Sequence, residues 1–445
     1  MKIPVIAVFD IGKTNKKLLL FNEHYQVVFE QSRNLAETVD EDGFPCEDLD
    51  SLKLFVLNTI RSIFSDPNFD IRAVNFSSYG ASLVFLDEYG MPLTPLYNYL
   101  KPYPDELLEQ FYSKYGGKEE FAYKTASPVL GSLNSGMQLY RIKYERPELL
   151  KKIKTVLHLP QYLSYLISGK LVTDITSIGC HTNFWDFSKN EYHHWLRDED
   201  LLDKLAPIAA SDERIKTSFE GHVFDAGIGL HDSSASIIPY LISFKEPFVL
   251  ISTGTWCISL NPFNASPLTK EELESDCLCY LQYKGTPVKA SRLFAGHEHE
   301  QEVNRIAEYF GQPKSKFEEM SFDKNFLNLE NAEEHEQDFS KQELSTFSSD
   351  AEAYHHLIWN LIKKQKTSTQ LILNGSSVNR IFVDGGFSKN AIYMNLLSFM
   401  FPEMEIFAAS MAQATAMGTA LVVQQSFGDI PIPNDLIELK FYSGK

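Results

Sequence analysis

The sequence predicts an α/β protein made of two domains. Two apolar runs, at 5–9 and 247–252, each read as a buried strand that opens into a glycine-containing turn and a second extended segment. Segments with helical spacing follow both of them. A chain of 445 residues is also too long for one ordinary core, so two domains of about 200 residues each are expected. We predict domains at residues 1–240 and 241–445.

In the N-terminal half the pattern predicts three strands, a helix, two more strands and a mostly helical block. In chain order these segments are 5–9, 17–21, 26–30, 47–64, 71–76, 83–86 and 103–170. The C-terminal half starts with a strand, a glycine turn and a second strand, and then mixes helices with two further strands. Its segments are 247–252, 256–260, 297–310, 350–373, 380–384, 389–400, 405–407 and 413–425. The stretch 313–350 is polar, which predicts a solvated excursion.

Composition narrows the possible partners. The formal net charge is −18, whereas nucleic acids and anionic membranes are bound by clustered lysine and arginine. No run approaches the roughly 20 apolar residues of a membrane helix, and the first ten residues lack the features of a secretory signal. The five cysteines are scattered and odd in number, which indicates reduced thiols. We therefore expect a cytoplasmic protein that binds neither nucleic acid nor membrane.

The first candidate site is the turn at 10–17, directly after the first strand. Gly12 permits a tight turn in which backbone N–H groups approach an anion. Thr14 and Asn15 add neutral donors, and Asp10 stands where a carboxylate can hold Mg²⁺ through water. The spacing of a Walker A loop is absent. An ordinary turn of this composition remains the alternative.

Two further glycine turns lie in the C-terminal half. Thr253, Gly254 and Thr255 follow the strand at 247–252 and, like the first turn, combine a glycine with side-chain donors. The two turns would then hold phosphates from opposite sides. Gly385 and Gly386 follow the strand at 380–384, where adjacent glycines leave room for a base or ribose against the backbone. The alternatives are an ordinary hairpin and a strand-to-helix connection that needs positive φ.

The fourth constellation is His231 and Asp232, which precede a short run of small residues. We expect Asp232 to cap the helix that starts there. A helix N-terminus stabilises a carboxylate and a phosphoryl group in transfer, and a carboxylate in this position can accept a hydroxyl proton. A plain helix cap is the alternative.

These four motifs, in this order and spacing, resemble those of the FGGY family of carbohydrate kinases, within the larger group that shares the actin-like ATPase fold. A closing helix motif at 412–418 fits the same family, and the resemblance covers nearly the whole chain. It implies two actin-like (ribonuclease H-like) α/β domains that flank a cleft. Sugar is then expected mainly on the N-terminal domain and ATP mainly on the C-terminal one.

The resemblance also implies residue roles. Asp232 is the expected catalytic base, and Asp10 and Asp232 are the expected metal-shell residues for Mg²⁺. The expected sugar contacts are Gly80, His231, Asp232 and Gln282. The residues expected to bind ATP are Gly12, Thr14, Asn15, Lys17, Thr253, Gly254, Thr255, Gly385, Gly386, Asn390 and Gly418. A homodimer is expected by analogy with the family.

Within the family, the segments 97–99, 231–235 and 252–256 resemble L-rhamnulose and L-fuculose kinases. The methyl group of a 6-deoxy sugar would then need apolar neighbours, for which Tyr79, Phe85 and Tyr97 are candidates unless they belong to the core. Kinases for xylulose, ribulose or another pentulose or polyol are alternatives. Two other classes stay open, an actin-like ATPase that needs no sugar and a non-catalytic sugar sensor.

Overall fold

Two β-sheets, one from each half of the chain, form the framework of the protein. The computed structural model describes residues 2–327, 338–411 and 413–443. Within these residues each half contributes one large sheet of seven strands. We call them the N-terminal and the C-terminal sheet.

The N-terminal half alternates strands with helices. Its strands are β1 (Ile3–Ile11), β2 (Lys16–Asn22), β3 (Val27–Arg33), β4 (Glu37–Val39), β5 (Pro45–Glu47), β6 (Phe69–Ser78), β7 (Leu83–Leu86), β8 (Thr155–His158), β9 (Thr173–Asp174), β10 (Trp185–Asp186), β11 (Glu191–Tyr192), β12 (Ile208–Ala209), β13 (Arg214–Phe219), β14 (His222–Gly227) and β15 (Leu230–His231). Its helices are α1 (Leu49–Ser65), α2 (Asp105–Lys114), α3 (Lys118–Thr125), α4 (Ser135–Glu145), α5 (Pro147–Lys152), α6 (Leu159–Ser168), α7 (Ile175–Ile178), α8 (Trp195–Asp198), α9 (Asp232–Ser236) and α10 (Ile238–Ser243).

The N-terminal sheet is built around β1, whose apolar side chains are buried on both faces. The strand order is β13-β14-β6-β1-β2-β3, with β15 added beside β6. β1 pairs with β2 in antiparallel and with β6 in parallel orientation. Helices α1 and α6 cover one face, where Val5 and Phe9 belong to the same core cluster. A continuous apolar run is typical of a strand buried on both sides.

The C-terminal half has fewer and longer elements. Its strands are β16 (Val249–Thr253), β17 (Cys257–Asn261), β18 (Cys277–Leu281), β19 (Pro287–Leu293), β20 (Arg380–Gly385), β21 (Glu405–Ser410) and β22 (Glu438–Tyr442). Its helices are α11 (Lys270–Glu274), α12 (Ala295–Phe310), α13 (Ser315–Glu318), α14 (Asp350–Leu373), α15 (Ala391–Met400) and α16 (Ala414–Leu421).

The C-terminal sheet repeats the plan of the N-terminal one. Its order is β18-β19-β17-β16-β20-β21-β22. The central strand β16 is antiparallel to β17 and parallel to β20, as β1 is to β2 and β6. The long helix α14 covers one face together with α12 and α15. The predicted two-domain α/β fold is confirmed, and both halves place a hairpin turn at the end of their central strand.

Three helices lie between the two sheets. Ile6 and Val8 of the N-terminal sheet pack with Ile238 of α10 and with Met417 and Leu421 of α16. On the other side, Tyr240 of α10 shares a core cluster with Phe382 of the C-terminal sheet. α16 also packs directly on α9. The predicted boundary at residue 240 falls within α10 and stays a prediction.

The polar stretch at 313–350 is not wholly solvated, contrary to the prediction. Among its described residues, the side chains of Phe317, Phe339 and Leu344 are buried in the same core cluster as α14. Residues 328–337 of the stretch lie outside the described residues. The sequence did not reveal these buried apolar residues, because the average polarity of the segment is dominated by its exposed charged positions.

Candidate active site

The turn between β1 and β2 is tight and presents free polar groups. The Gly12 N–H donates to the Asn15 carbonyl at 2.9 Å, and a Cβ at position 12 would lie 3.1 Å from the same oxygen. The side chains of Thr14 and Asn15 are exposed. Neither makes a hydrogen bond within the part of the chain that the structure describes. The turn therefore offers backbone and side-chain donors to a ligand.

The two lysines after this turn point to opposite faces, as alternation along a strand requires. Lys16 is buried, with its Nζ 2.6 Å from Glu47 Oε1 and donating to the Lys13 carbonyl at 3.0 Å. Lys17 is half-buried on the other face, and its Nζ donates to Gln413 Oε1 at 3.3 Å. Lys17 thus reaches the residue that precedes α16.

Glu47 connects the first turn with the loop that holds Gly80. The second carboxylate oxygen of Glu47 accepts a hydrogen bond from the Tyr79 hydroxyl at 3.1 Å. The Tyr79 N–H also donates to the Ile11 carbonyl at 3.3 Å. Because Lys16, Glu47 and Tyr79 are all buried, this network fixes the turn and the Gly80 loop relative to each other.

Asp10 and Asp232 are brought together in space from distant parts of the chain. Burial raises the pKa of the Asp10 carboxyl to about 6, and the negative charge of Asp232 acts in the same direction. The Ser77 hydroxyl donates to Asp10 Oδ1 at 2.9 Å and opposes this effect, as does the Lys17 ammonium. Both residues are partly buried, and two interacting carboxylates favour a cation between or beside them.

Asp232 is the first residue of α9, and the N-cap position belongs to His231. The sequence interpretation of Asp232 as the cap is therefore wrong by one residue, and the helix has only five residues. Asp232 Oδ1 accepts from the Ser233 N–H at 2.6 Å and from the Ser233 hydroxyl at 3.3 Å. His231 Nε2 lies 3.1 Å from the same oxygen. Burial would raise the pKa of the Asp232 carboxyl, but these partners lower it below its usual value.

His231 packs against Gly80 and Cys180. A Cβ at position 80 would lie 2.7 Å from Cys180 Sγ and 3.2 Å from the His231 ring, so only glycine fits there. Cys180 Sγ is 3.0 Å from His231 Nε2. Burial would lower the pKa of the His231 imidazole, but Cys180 and Asp232 raise it. Sequence reasoning missed Cys180, since nothing in its local pattern shows that it meets His231.

The predicted sugar contact Gln282 lies in the turn between β18 and β19, next to this group. Its side chain accepts from the Lys284 N–H at 3.1 Å. The adjacent Leu281 carbonyl accepts from the Ser234 hydroxyl of α9 at 3.1 Å. The ring of Tyr280 lies 5.3 Å from the ring of His231. β18 of the C-terminal sheet therefore approaches Asp232 from the far side of the cleft.

The turn between β16 and β17 is built differently from the first one. The Thr253 hydroxyl donates to the Asp384 carbonyl at 2.6 Å and accepts from the Phe387 N–H at 3.0 Å. The two residues that follow, Gly254 and Thr255, are exposed. Thr253 thus fixes the turn, and its two neighbours stay available to a ligand.

The two adjacent glycines after β20 have separate roles. Gly385 has φ +91°, and a Cβ there would lie 1.9 Å from the Thr253 carbonyl oxygen. Gly386 has no atom within 4 Å of its Cβ position. Gly385 therefore allows β20 to lie against the second turn, and Gly386 leaves open space.

A cavity of about 550 Å³ opens beside these glycines. Its lining combines the second turn, Gly386 with the residues that follow it, and residues of α12, α13 and α14. The lining residues are Thr253, Gly254, Gly296, His299, Glu300, Val303, Asn304, Lys314, Phe317, Glu318, Tyr354, Gly386, Phe387, Lys389 and Asn390. A cavity of this size and mixed lining is typical of a small-molecule site.

Two lining residues that sequence reasoning missed carry polar groups in this cavity. Asn304 Oδ1 is buried and has no hydrogen-bond partner in the part of the chain that the structure describes. His299 Nε2 lies 3.0 Å from the Tyr354 hydroxyl, and burial lowers the pKa of its imidazole to about 4. His299 and Asn304 lie on α12, as does Gly296, and all three line the cavity with Gly254 of the second turn. Their helical spacing from Gly296 is the only signal in the sequence that could have found them.

Asn390 and Gly418, both predicted to contact nucleotide, have structural contacts. Asn390 Oδ1 caps α15 by accepting from the Tyr393 N–H at 2.9 Å, and its Nδ2 donates to the Tyr354 hydroxyl at 2.7 Å. Gly418 is buried, and a Cβ there would lie 1.9 Å from the Ala235 carbonyl oxygen. The structure thus gives Gly418 a packing role between α16 and α9. Ala412, which begins the predicted closing motif, lies outside the described residues.

The aromatic residues predicted as neighbours of a sugar methyl group belong to the framework. Phe85 is fully buried in a core cluster. The hydroxyl of Tyr97 donates to Glu41 at 2.5 Å, and that of Tyr79 donates to Glu47. Phe85 and Tyr79 are thus buried core residues, whereas Tyr97 is partly exposed.

Asp10 and Asp232 are chemically suited to the predicted Mg²⁺. Both supply carboxylate oxygens, the ligands that Mg²⁺ prefers. Burial chiefly raises the pKa of Asp10, and the charge of Asp232 adds to it, so a nearby cation would stabilise the ionised carboxylate. Within the described residues no group of three or more His, Cys, Asp or Glu residues is arranged to hold a metal ion. Magnesium ions are often held by one or two carboxylates together with phosphate and water, so the pair fits that pattern.

None of the helices in the described ranges combines the length and the apolar character that crossing a membrane requires.

Two family models together match most of the chain. Residues 5–228 match the N-terminal domain of the FGGY family of carbohydrate kinases. Residues 245–430 match the C-terminal domain of FGGY carbohydrate kinases.

Several curated proteins are similar over part of the chain. A rhamnulokinase from Halalkalibacterium halodurans is 23% identical over 258 residues, which cover 56% of this chain and 52% of that protein. A rhamnulokinase from Oceanobacillus iheyensis is 24% identical over 266 residues, which cover 56% of this chain and 54% of that protein. The chain thus spans about half the length of the curated relatives it matches.

Solved structures are similar over nearly the whole chain. A carbohydrate kinase from Novosphingobium aromaticivorans superposes with a TM-score of 0.79 at 20% identity, covering 98% of this chain and 96% of that one. The ligand-bound xylulose kinase from Lactobacillus acidophilus gives a TM-score of 0.78 at 16% identity, covering 100% of this chain and 94% of that one. At these identities the likeness concerns the fold.

Proposed function

This chain belongs to the FGGY family of carbohydrate kinases, and on that basis we propose that it transfers the γ-phosphate of ATP to a hydroxyl group of a small sugar. The observation that carries the proposal is the setting of Asp232. Its carboxylate is held by His231 at 3.1 Å, and its charge acts on Asp10, which lies in β1 just before the first phosphate turn. A carboxylate next to a phosphate turn suits the activation of a hydroxyl for phosphoryl transfer.

In this proposal the two halves have separate tasks. Residues 1–240 bind the sugar and supply the catalytic base, and residues 241–445 bind ATP. Gly80 and His231 would contact the sugar from the N-terminal side, and Gln282 from the turn after β18. The contact of His231 with both Gly80 and Asp232 supports this grouping.

The phosphates of ATP are assigned to the space between the two hairpin turns. On the N-terminal side, Gly12, Thr14 and Asn15 offer donors, and Lys17 supplies a positive charge. On the C-terminal side, Gly254 and Thr255 offer the exposed part of the second turn. Holding the phosphoryl group from two sides is what this reaction needs most, because it depends on positioning and charge stabilisation.

The adenosine is assigned to the cavity of about 550 Å³. Gly386 leaves room for a flat group, while Thr253, Gly385 and Asn390 shape the surrounding backbone. Gly418 would act indirectly, through the packing of α16 on α9. Asn304 is a further candidate, because its unpartnered amide oxygen is complementary to an exocyclic amino group.

Asp232 is the proposed base. Its Oδ1 receives the contacts from Ser233 and His231, so Oδ2 is left to accept the proton of the attacking sugar hydroxyl. The lowered pKa keeps the carboxyl ionised at neutral pH. Mg²⁺, when bound with ATP, supplies positive charge for the phosphate oxygens, and Asp10 and Asp232 are the residues that would hold it. Closure of the two halves over the sugar would exclude water as a competing acceptor.

Among sugars, we favour L-rhamnulose or L-fuculose. The support is the similarity to rhamnulokinases in sequence, together with the motif at 252–256. Kinases of this kind consume ATP, so we also propose a cytoplasmic location, to which the five free cysteines are suited. A homodimer remains a proposal by family analogy, and light scattering after gel filtration would test it.

The deciding experiment is ADP release with Mg-ATP across a panel of sugars. The panel contains L-rhamnulose, L-fuculose, D- and L-xylulose, D- and L-ribulose and glycerol. One strong responder supports the kinase and identifies its substrate. ADP release at the same rate without any sugar would contradict it in favour of an actin-like ATPase. Bound ATP with no ADP release across the panel would contradict it in favour of a sugar sensor.

A further inference from the structure

One face of the C-terminal sheet looks toward the N-terminal half. Side chains alternate along a strand, so residues two apart share a face. Leu278 and Tyr280 of β18 and Ala290 of β19 share a core cluster with Cys180 and Tyr240 of the N-terminal half. The opposite face of the same strands packs on α14. The face of Tyr280 and Ala290 is therefore the side of the C-terminal sheet that packs against the N-terminal half.

Three side chains continue this face beyond the contact with the N-terminal half. Trp256 precedes Ile258 of β17 by two positions, and Arg292 and Phe294 follow Ala290 at intervals of two. The rings of Trp256 and Phe294 lie 4.4 Å apart. Both are exposed, by 42% and 41%. They form an exposed aromatic pair, in which Trp256 directly follows the second phosphate turn and Phe294 directly precedes α12.

The aromatic pair is held in place. The Arg292 guanidinium lies 5.7 Å from the centre of the Trp256 ring. Arg292 itself is fixed by two hydrogen bonds to the Asp276 carboxylate, at 2.5 and 3.1 Å. On the other side, the His297 ring stacks on Phe294 at 4.5 Å. A bidentate ion pair and two stacked neighbours fix the pair in one geometry although solvent surrounds it.

The same face leads to the proposed base. Tyr280 lies on it, and its ring is 5.3 Å from that of His231. Arg292 follows along this face, and its charge acts on the Tyr280 hydroxyl. Arg292 therefore lies between the aromatic pair and Tyr280, and Tyr280 contacts His231 beside Asp232. The N-terminal candidates for an apolar sugar contact are used in the framework, so this face supplies the accessible aromatic surface.

We propose that Trp256 and Phe294 form an aromatic wall that binds the C–H face of the acceptor sugar, including the methyl group of a 6-deoxyketose. The inference rests on the proposed kinase function and deepens it by assigning a specificity-determining surface. The C–H groups of a sugar are complementary to the electron-rich face of an aromatic ring. Rigid aromatic side chains with two rotatable bonds bind such groups at low entropic cost.

The protein carries its own reporter for this site. Its four tryptophans are Trp185, Trp195, Trp256 and Trp359. Trp256 is 42% exposed, whereas the exposed fraction of each of the other three is 8% or less. Acrylamide quenching of tryptophan fluorescence therefore reports on Trp256.

The first test measures acrylamide quenching with each sugar of the panel, with and without ADP. We expect the substrate sugar to protect Trp256 and ADP alone to leave it quenchable. Trp256→Phe should remove the quenchable fraction and so assign the signal. Full quenching in the presence of a sugar that saturates turnover would overturn the proposal.

The second test is steady-state kinetics on variants. Trp256→Ala and Phe294→Ala should each raise KM for the sugar about three- to tenfold, with KM for ATP unchanged, and Trp256→Phe should lie between. A larger loss for L-rhamnulose than for a sugar without the methyl group is also expected. Tyr309→Ala is the matched control, because Tyr309 is an exposed aromatic residue at the far end of α12.

The outcomes separate this inference from the kinase proposal. Turnover of a sugar by the wild type with unchanged sugar KM in Trp256→Ala and Phe294→Ala overturns the aromatic wall and leaves the kinase standing. A rise of similar size in Tyr309→Ala would also overturn it. No turnover and no protection by any sugar of the panel would overturn both.

Discussion

The turn between β1 and β2 and the turn between β16 and β17 occupy the same place in two sheets of the same plan, yet their surroundings differ. Charged groups surround the first, where Asp10, Lys17 and the buried pair Lys16–Glu47 lie on neighbouring positions. Neutral contacts hold the second, where Thr253 is fixed by backbone groups and Gly385 allows the close approach. Under the proposed function, the shared fold unit would supply a place for phosphate, and the residues beside it would separate catalysis from binding.

The largest expected effect tests the charged side of this comparison. Asp232→Asn removes the proposed base while it keeps the shape of the side chain. We expect kcat to fall about 10²- to 10⁴-fold, with little change in the affinity for ATP, because the cavity of the C-terminal half is untouched. ADP release and equilibrium ATP binding are the two measurements.

Asp212→Asn is the matched control, because Asp212 is a partly exposed carboxylate whose partner is Lys284. It should leave kcat unchanged. Near-normal turnover of Asp232→Asn would contradict the assignment of the base.

The two adjacent lysines test whether the charge beside the first turn is structural or functional. Lys16→Met leaves Glu47 buried without a counter-charge, and we expect a loss of about 3–5 kcal/mol in the free energy of unfolding. Lys17→Met removes a half-buried lysine, so we expect a change in stability of about 0.5 kcal/mol or less and a higher KM for ATP. Urea unfolding and kinetics of both variants distinguish the roles. Equal losses of stability would contradict the contrast between the two faces of β2.

The neighbouring glycines test the second turn in the same way. A methyl group at Gly385 would clash with the Thr253 carbonyl and would sit at φ +91°, whereas a methyl group at Gly386 meets open space. Gly385→Ala should cost about 1–3 kcal/mol or more in unfolding free energy. Gly386→Ala should keep the stability and weaken ATP binding. The reverse pattern would show that the cavity beside Gly386 is not the nucleotide site.

A further buried charge, Glu199, lies in the N-terminal half away from the turns. Burial raises the pKa of the Glu199 carboxyl, but hydrogen bonds from Lys114, Lys143, Tyr115 and Tyr144 outweigh it and lower the pKa to about 2. Because the folded pKa is depressed, the stabilisation is complete above the unfolded value of about 4.3 and is lost as the pH falls toward 2.

Glu199→Gln should therefore reduce the free energy of unfolding by about 2–3 kcal/mol at pH 7. The difference from the wild type should shrink between pH 4.5 and pH 2. Urea unfolding at several pH values measures it. A difference that stays constant over this range would mean that Glu199 acts through packing and not through its charge.

Much of the framework was accessible from the sequence. The apolar runs at 5–9 and 247–252 predict β1 and β16, and the helical pattern at 350–373 has the bounds of α14. These elements are recognisable because a strand buried on both faces and a long helix have patterns of their own. The sequence also predicted that the two carboxylates of Asp10 and Asp232 belong to one site. This prediction came from the family resemblance, because no local pattern relates the two residues.

The rest depends on contacts between distant residues. Cys180 meets His231 across 51 positions of sequence, and His299 meets Tyr354 across 55. Position 418 has to be glycine because a side chain there would clash with the Ala235 carbonyl of α9. These contacts form only in the folded chain. The sequence around each residue is ordinary and does not indicate the distant partner.

The position of α16 has a consequence for how the protein is made. This helix covers the face of the N-terminal sheet that contains Ile6 and Val8, although it comes from residues 414–421. A ribosome that adds about 5–20 residues per second needs roughly 20–80 s to reach α16 after β1 has been synthesised. Before α16 is made, only α9 and α10 can cover this face, and the part that α16 will cover stays exposed to chaperones. The two halves thus complete their folding together, and a fragment that ends before α16 would remain prone to aggregation.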